Sequence, residues 1–282
     1  MSKTLMLGAV AYDPKVVTIW EGFRAWFKDE HDFDFDFVLY SNYERQVMGH
    51  FAGHYDVAWN SPLAWIQAER VAKKKGKTAR AVAMRDTDVD LTSLIVVKSD
   101  SGIASLADLK GKTIGVGAGD SPQATLIPLL HLAEAGIEPG RDVEVRRFDR
   151  LVGKHGDHVG GERDAAKALM AGEVHACCMI DGNHLVFTGE GTLPKDGTTI
   201  LAQTGHYDHC NFTVLDDVDE ALVNRFVELL LAMRYDDPKV RPLLDLEGLK
   251  AWKPGRTEGY ALLERAVDRF DYLAPFMKGL GL

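Results

Sequence analysis

Two stretches of this 282-residue chain gather side chains able to bind metal or move protons. The first is Lys154-His155-Gly156-Asp157-His158-Val159-Gly160-Gly161-Glu162, two histidines and two carboxylates in a glycine-rich loop ahead of a helix. Imidazole and carboxylate together suit zinc, iron or manganese. The second holds His206, Asp208, His209 and Cys210. Brought together, His158, Glu162, His206 and His209 would form a divalent-metal site. Neither segment alone has a diagnostic ligand spacing, and polar loops that only make hinge hydrogen bonds are the simpler reading. Cys177 and Cys178 are adjacent on an expected strand, so their side chains point to opposite faces. One reads as a small core residue and the other as a thiol facing a site. That thiol would need a base such as His158 or His209 to react. The catalytic candidates are therefore His158, Glu162, Cys177, His209 and Cys210. His50 and His54 read as surface histidines, because Phe51 stands where a zinc-protease helix needs glutamate.

A further stretch could bind without reacting. Thr113-Ile114-Gly115-Val116-Gly117-Ala118-Gly119-Asp120-Ser121 leaves a strand and enters a helix. Glycines let a ligand approach the backbone, and the first turn of a helix favours an anion. The dinucleotide fingerprint fails, because its third glycine falls on Asp120 or Pro122. No Gly-Lys-Ser/Thr follows either. Asp120 and Ser121 also suit plain helix capping, and both readings stay open. Asp181-Gly182-Asn183-His184 follows another strand. Asp181 with Glu162 could recognise a cation such as an amine, or Asp181 or Asn183 could cap a helix.

The elements that must hold these residues alternate. Residues 4–12 read as a strand, and residues 15–31 place Val16, Ile19, Trp20, Phe23, Trp26 and Phe27 at helical spacing. Residues 32–40 alternate with Phe33, Phe35, Phe37 and Leu39 on one face, a strand. Helices follow over 43–52, from Pro62 to 74, over 122–135 and over 162–171. Strands lie between them over 56–59, 80–84, 94–98, 113–116, 143–148 and 176–180. Short strands at 199–203 and 212–215 precede a mostly helical tail. This order argues for an α/β fold with mainly parallel sheets. A helix end, glycine and buried strand at 52–58 recur at 171–177, as two similar lobes would produce.

Composition narrows the function. The formal net charge is −9, which excludes a protein built to grip nucleic acid. Three cysteines give no disulfide framework. No run of about 20 apolar residues occurs, so membrane insertion is not expected. Residues 4–10 are too short for a signal-peptide core, and Asp13 and Lys15 follow without a cleavage site. The expectation is a cytoplasmic protein, or a periplasmic one if a leader has been removed.

Three segments carry a family resemblance. Ser105-Leu106-Ala107-Asp108-Leu109-Lys110-Gly111-Lys112-Thr113-Ile114-Gly115-Val116-Gly117 resembles the hinge-proximal segment of type-2 periplasmic binding proteins. Tyr55-Asp56-Val57-Ala58-Trp59-Asn60-Ser61-Pro62-Leu63-Ala64 and Asp208-His209-Cys210-Asn211-Phe212 resemble segments of the phosphate, phosphite and phosphonate ABC-transporter branch. They come in the family's order across residues 4–235. The resemblance implies a two-lobed α/β clamp with a cleft for a small polar molecule. It implies an ABC permease as partner if the protein is exported. Lobe 1 would be 1–88 with 206–282 and lobe 2 would be 89–205, with crossovers near 86–93 and 203–211. Ligand positions would fall at Tyr43, Asn60, Ser61, Thr92, Ser93, Ser121 and Gln123, with Asp120 and Asp181 beside them and Trp59 as a further wall. The family's three-hydroxyl anion loop reads Ser121-Pro122-Gln123-Ala124 here, Glu162 stands near an expected histidine, and Leu91 replaces an aromatic. These departures argue against phosphate, phosphite or a simple phosphonate as ligand. Two functions follow: a solute-binding clamp, or a cytoplasmic enzyme reusing the cleft, such as a metal-dependent lyase, decarboxylase or oxygenase.

Overall fold

The computed structural model describes residues 3–157 and 159–282. His158, expected as a metal ligand and catalytic group, lies outside the described residues. The chain runs β1 (Leu5–Val10), α1 (Lys15–His31), β2 (Phe35–Tyr40), α2 (Tyr43–Phe51), β3 (Val57–Asn60), α3 (Pro62–Lys74) and β4 (Ala79–Arg85). It continues with β5 (Ser93–Lys98), β6 (Thr113–Val116), α4 (Ile127–Glu134), β7 (Glu144–Arg147), α5 (Glu162–Met170), β8 (Ala176–Ile180), α6 (Asp181–Gly189) and β9 (Thr198–Gln203). The last elements are β10 (Asn211–Leu215), α7 (Glu220–Ala232), α8 (Arg241–Glu247), β11 (Trp252–Pro254), α9 (Ala261–Arg269) and α10 (Ala274–Gly279).

Two compact units result: Met1–Val89 with Asp208–Tyr260 and Leu273–Leu282, and Asp90–Tyr207 with Ala261–Tyr272. The lobe 1 expected from the resemblance includes the whole tail, 206–282. Instead α9 packs on α4, because Leu263, Ala266 and Val267 form one buried stripe that needs an apolar partner. The first unit is built on the sheet β11-β4-β10-β3-β1-β2, with β1, β2 and β3 parallel and β10 antiparallel to β3 and β4. Trp20, Phe23 and Phe27 of α1 meet Trp59, Phe212, Phe226 and Trp252 in its core. Burial of several aromatic side chains, each worth about 2 kcal/mol, dominates stabilisation there.

The second unit is built on the sheet β7-β6-β8-β5-β9. β6 runs parallel to β7 and β8, whereas β5 is antiparallel to β8 and β9. Antiparallel pairing makes the start of β5 coincide with the end of β8: Ser93 faces Ile180, and Leu94 faces Gln203 at the end of β9. One edge of this sheet therefore collects residues 92–93, 117–121, 180–183 and 203–207. The helix expected over 122–135 begins instead with a π-helical turn, Pro122–Leu126, before α4. The wider turn carries the bond from Leu126 N to Ser121 O (3.0 Å).

Candidate functional site

The polar edge of the second unit holds most of the expected ligand residues. Ser93 is fully buried; its hydroxyl donates to Gln123 O (2.6 Å) and meets the Tyr207 hydroxyl at 2.8 Å. The Thr92 hydroxyl donates to Asp181 Oδ2 (2.7 Å) and accepts from Gln203 Nε2 (2.8 Å). Ser121 caps the π-helical turn, its Oγ accepting from Ala124 N (3.2 Å). Gln123 Nε2 donates to Gly156 O (2.9 Å). Asp120 Oδ2 accepts from Gly153 N (2.5 Å) and His155 N (3.3 Å), and burial raises its pKa. Thus Thr92, Ser93, Asp120, Ser121, Gln123 and Asp181 share one edge.

The glycine-rich turn serves the fold. A Cβ on Gly117 would collide with Gly160 O and Ala124, and one on Gly156 would collide with Ser121. Gly161 has φ +85°, and a Cβ there would overlap Phe148 O. These contacts let Gly156, Gly160 and Gly161 lie directly against the turn and Phe148. The turn's amides are consumed in the process. Gly117 N donates to Ala124 O (3.2 Å), Ala118 N to Gly160 O (3.0 Å), Gly119 N to Asp149 Oδ1 (2.9 Å) and Ser121 N to Ala118 O (2.9 Å).

Glu162 opens α5 and is fully buried. Its Oε2 accepts from Ile180 N (3.1 Å) and Asn183 Nδ2 (2.7 Å), while Oε1 has no partner. Burial pushes its carboxyl up to about 7, against modest help from Asn183, Ile180 N and Gln123. Gln123 Oε1 and Asp120 Oδ1 are likewise buried without a partner.

The cysteines differ from expectation. Cys177 packs with Leu94, Val96 and Met179 on one sheet face, and Cys178 with Ile95, Val97 and Ile114 on the other. Burial raises both thiols, Cys178 well above its ordinary value, which keeps them protonated. Both are core residues; neither has the electropositive, accessible surroundings of a nucleophile. His206 is exposed, with Nδ1 2.9 Å from Asp90 O.

In the first unit the expected ligand residues make contacts within the unit. Tyr43 is buried beside Val10, Val47, Ala64 and Ala68. Trp59 lies in the core under the Arg85 guanidinium, 5.2 Å from its ring centre. Ser61 caps α3 through Ala64 N (3.1 Å). Asn60 accepts from Gln46 Nε2 (3.0 Å) and donates to Thr213 Oγ1 (2.8 Å). The chain of bonds continues from Thr213 to Asn211 Oδ1 (2.6 Å), Asn211 to Tyr260 (2.7 Å) and Tyr260 to His209 O (2.8 Å).

Among the described residues, the group with metal-ligand geometry is Asp88, His209 and Cys210, all buried. His209 Nδ1 is 3.1 Å from Cys210 Sγ and 3.5 Å from Asp88 Oδ1. Arg85 holds both Asp88 oxygens, Nε to Oδ2 at 2.6 Å and Nη2 to Oδ1 at 2.8 Å. Burial alone would raise the Asp88 carboxyl, but Arg85 outweighs it and holds the group well below the usual range. The guanidinium puts a positive charge where an ion would sit, so these residues fit a buried ion pair better than a divalent metal. His50 is buried, not on the surface; its ring stacks on Tyr55 and burial lowers it to about 4.

Sequence reasoning missed Tyr207, Asp149, Arg85 and Asp88. Tyr207 had a faint signal, lying one residue before Asp208. The others are single charged residues with no spacing to mark them.

Two mixed sheets flanked by helices, with the chain returning late from the second unit to the first, define the type-2 periplasmic binding-protein fold. The model of the family "ABC transporter, phosphonate, periplasmic substrate-binding protein" matches residues 9–260, and the chain belongs to that family. Among solved structures, PhnD1 of Prochlorococcus marinus in complex with methylphosphonate is 17% identical with a TM-score of 0.69, over 95% of this chain and 98% of that one. A Xanthomonas citri protein bound to chloride ion is 18% identical with a TM-score of 0.71, over 95% and 100%. A phosphonate-transporter binding component of Pseudomonas aeruginosa is 14% identical with a TM-score of 0.62, over 100% and 99%. At these identities the likeness is one of fold. Among the described residues, no helix is long and apolar enough to cross a membrane.

Proposed function

We propose that this chain binds a small polar solute at the polar edge of its second unit and hands it to an ABC permease. Family membership supports the solute-binding role and the kind of partner. One observation carries the placement: Asp120, Gln123 and Glu162 bury side-chain oxygens there with no protein partner. Buried polar atoms without partners are costly, about 1–3 kcal/mol each, and a bound solute would offset that cost. Around them Ser93 bonds to Tyr207 and to Gln123 O, and Thr92 bonds to Asp181 and Gln203. The buried, protonated thiols supply no nucleophile, which favours binding over covalent chemistry.

A thermal-shift screen tests the reading. The protein is unfolded and refolded to strip copurified solute, then exposed to phosphonates, sulfonates, amines, amino acids and polyols. Saturable stabilisation by one class, growing with the logarithm of concentration, is the expected result. No stabilisation by any class would refute it. For the compartment we propose the periplasm, as in the family. Fractionating cells that carry the natural gene tests this, and recovery only in the cytoplasm would remove the permease from the proposal.

A further inference from the structure

We propose that the solute is a small organic cation bearing N–H donors, held by Asp120, Gln123 and Glu162, and is not a phosphonate anion. The inference rests on the reading above that this edge is the solute site. Its ground is the sign of what the protein leaves over.

An anion needs donors, and among the described residues the turn's donors named here are spent. The amides of Gly117, Ala118, Gly119 and Ser121 each end on an acceptor of the protein itself. At Gly119 that acceptor is the Asp149 carboxylate, which sits where an anion would approach. The Ala124 amide ends on Ser121 Oγ, and the Thr125 hydroxyl on Ala118 O (2.8 Å). The hydroxyls of Ser93 and Thr92 and the amides of Gln123 and Asn183 are also committed. Lys154, the cation of the neighbouring loop, has a partner of its own.

What remains are acceptors. Asp120 Oδ1, Gln123 Oε1 and Glu162 Oε1 are buried with no hydrogen-bond partner, at 3%, 1% and 0% residue exposure. Two belong to carboxyl groups and one to an amide. The 153–156 segment ties Asp120 to Gln123, through Gly153 N and His155 N on one side and Gly156 O on the other. Gln123 in turn lies beside Glu162. A primary ammonium offers three donors and a guanidinium five, and either cation would favour the ionised form of both carboxyls. A phosphonate would place its oxygens against these oxygens and find the amides of Gly117, Ala118, Gly119, Ser121 and Ala124 already bonded.

Calorimetric titration of the refolded full chain decides the matter. The probes are ethanolamine, 1,4-diaminobutane and agmatine as N–H cations, choline as a cation without N–H, and methylphosphonate as the anion. At least one N–H cation should bind saturably, with choline weaker by about tenfold or more, the value of a charged hydrogen bond. D120N and E162Q should each weaken that binding by about tenfold or more. E162Q removes a buried charge without removing volume, so it keeps the test valid should D120N fail to fold. Binding of methylphosphonate, or of any other anion or neutral solute, in place of the N–H cations would overturn this proposal and leave the solute-binding reading standing. Amine binding unchanged in the variants would overturn it as well. No binding by any class in the wider solute panel would overturn both.

Discussion

Glu162→Gln is the most informative single change, because its effect has a sign, a size and a pH window. The wild-type carboxyl is buried with Oε1 unpaired, and its pKa moves from the ordinary 4.5 up to about 7. A carboxyl raised in the folded state favours folding only while protonated. The folded chain therefore loses stability as pH climbs from 4.5, and the loss is complete above about 7. Integrated over that window the cost is about 3 kcal/mol in full, and about 1 kcal/mol at pH 5. Glutamine keeps an oxygen for Ile180 N and Asn183 Nδ2. Its amide carries no charge to desolvate and lies beside Gln123. The variant should thus be more stable than wild type by about 3 kcal/mol at pH 8.5, shrinking to about 1 kcal/mol at pH 5. Urea unfolding of solute-free protein at the two pH values measures this. Far-UV circular dichroism is the probe, because Trp20, Trp26, Trp59, Trp65 and Trp252 all lie in the first unit. A stability difference that stays flat with pH, or a variant less stable at pH 8.5, would refute the reasoning.

Other changes test other parts of the structure. Arg85→Leu strands the buried Asp88 and Glu247 carboxylates and should cost about 3–5 kcal/mol, with Asp88→Asn added to it recovering part of the loss in urea unfolding. His50 is buried neutral with its pKa lowered to about 4. Its contribution is present above 6.5 and lost as pH falls toward 4, about 3 kcal/mol in all, and His50→Gln should flatten that slope in tryptophan-monitored unfolding. Gly161→Ala would force a Cβ onto Phe148 O at φ +85°. It should cost about 1–3 kcal/mol and weaken solute binding, because Gly160 and Gly161 must lift off the turn; calorimetry that finds binding intact would contradict this.

The sequence by itself determined the α/β class and the order of most elements. Hydrophobic period is a local property: Val16, Ile19, Trp20, Phe23 and Phe27 line one face of α1 whatever surrounds it, and all are buried. Capping is local too, so Ser61 before Pro62 marked the start of α3. The family segments were legible because they lie on such elements. The π-helical turn was not, since Ser121 and Pro122 also suit an ordinary helix start. Burial depth could not be read either. Tyr43 and Trp59 looked like ligand walls, yet both face into core because of where α2 and β3 sit on the sheet. Cys177 and Cys178 did point to opposite faces, but both faces of β8 are covered.

The polarity of the site was decided only by tertiary structure. The Gly117–Ser121 turn on its own offers amides to an anion. Once Asp149 and Gly160 fold onto it, they take amides of Gly119 and Ala118, and the unpaired atoms of Asp120, Gln123 and Glu162 are oxygens. Whether a donor is free depends on which acceptors the fold brings within about 3 Å, and that distance is not written in any stretch of sequence.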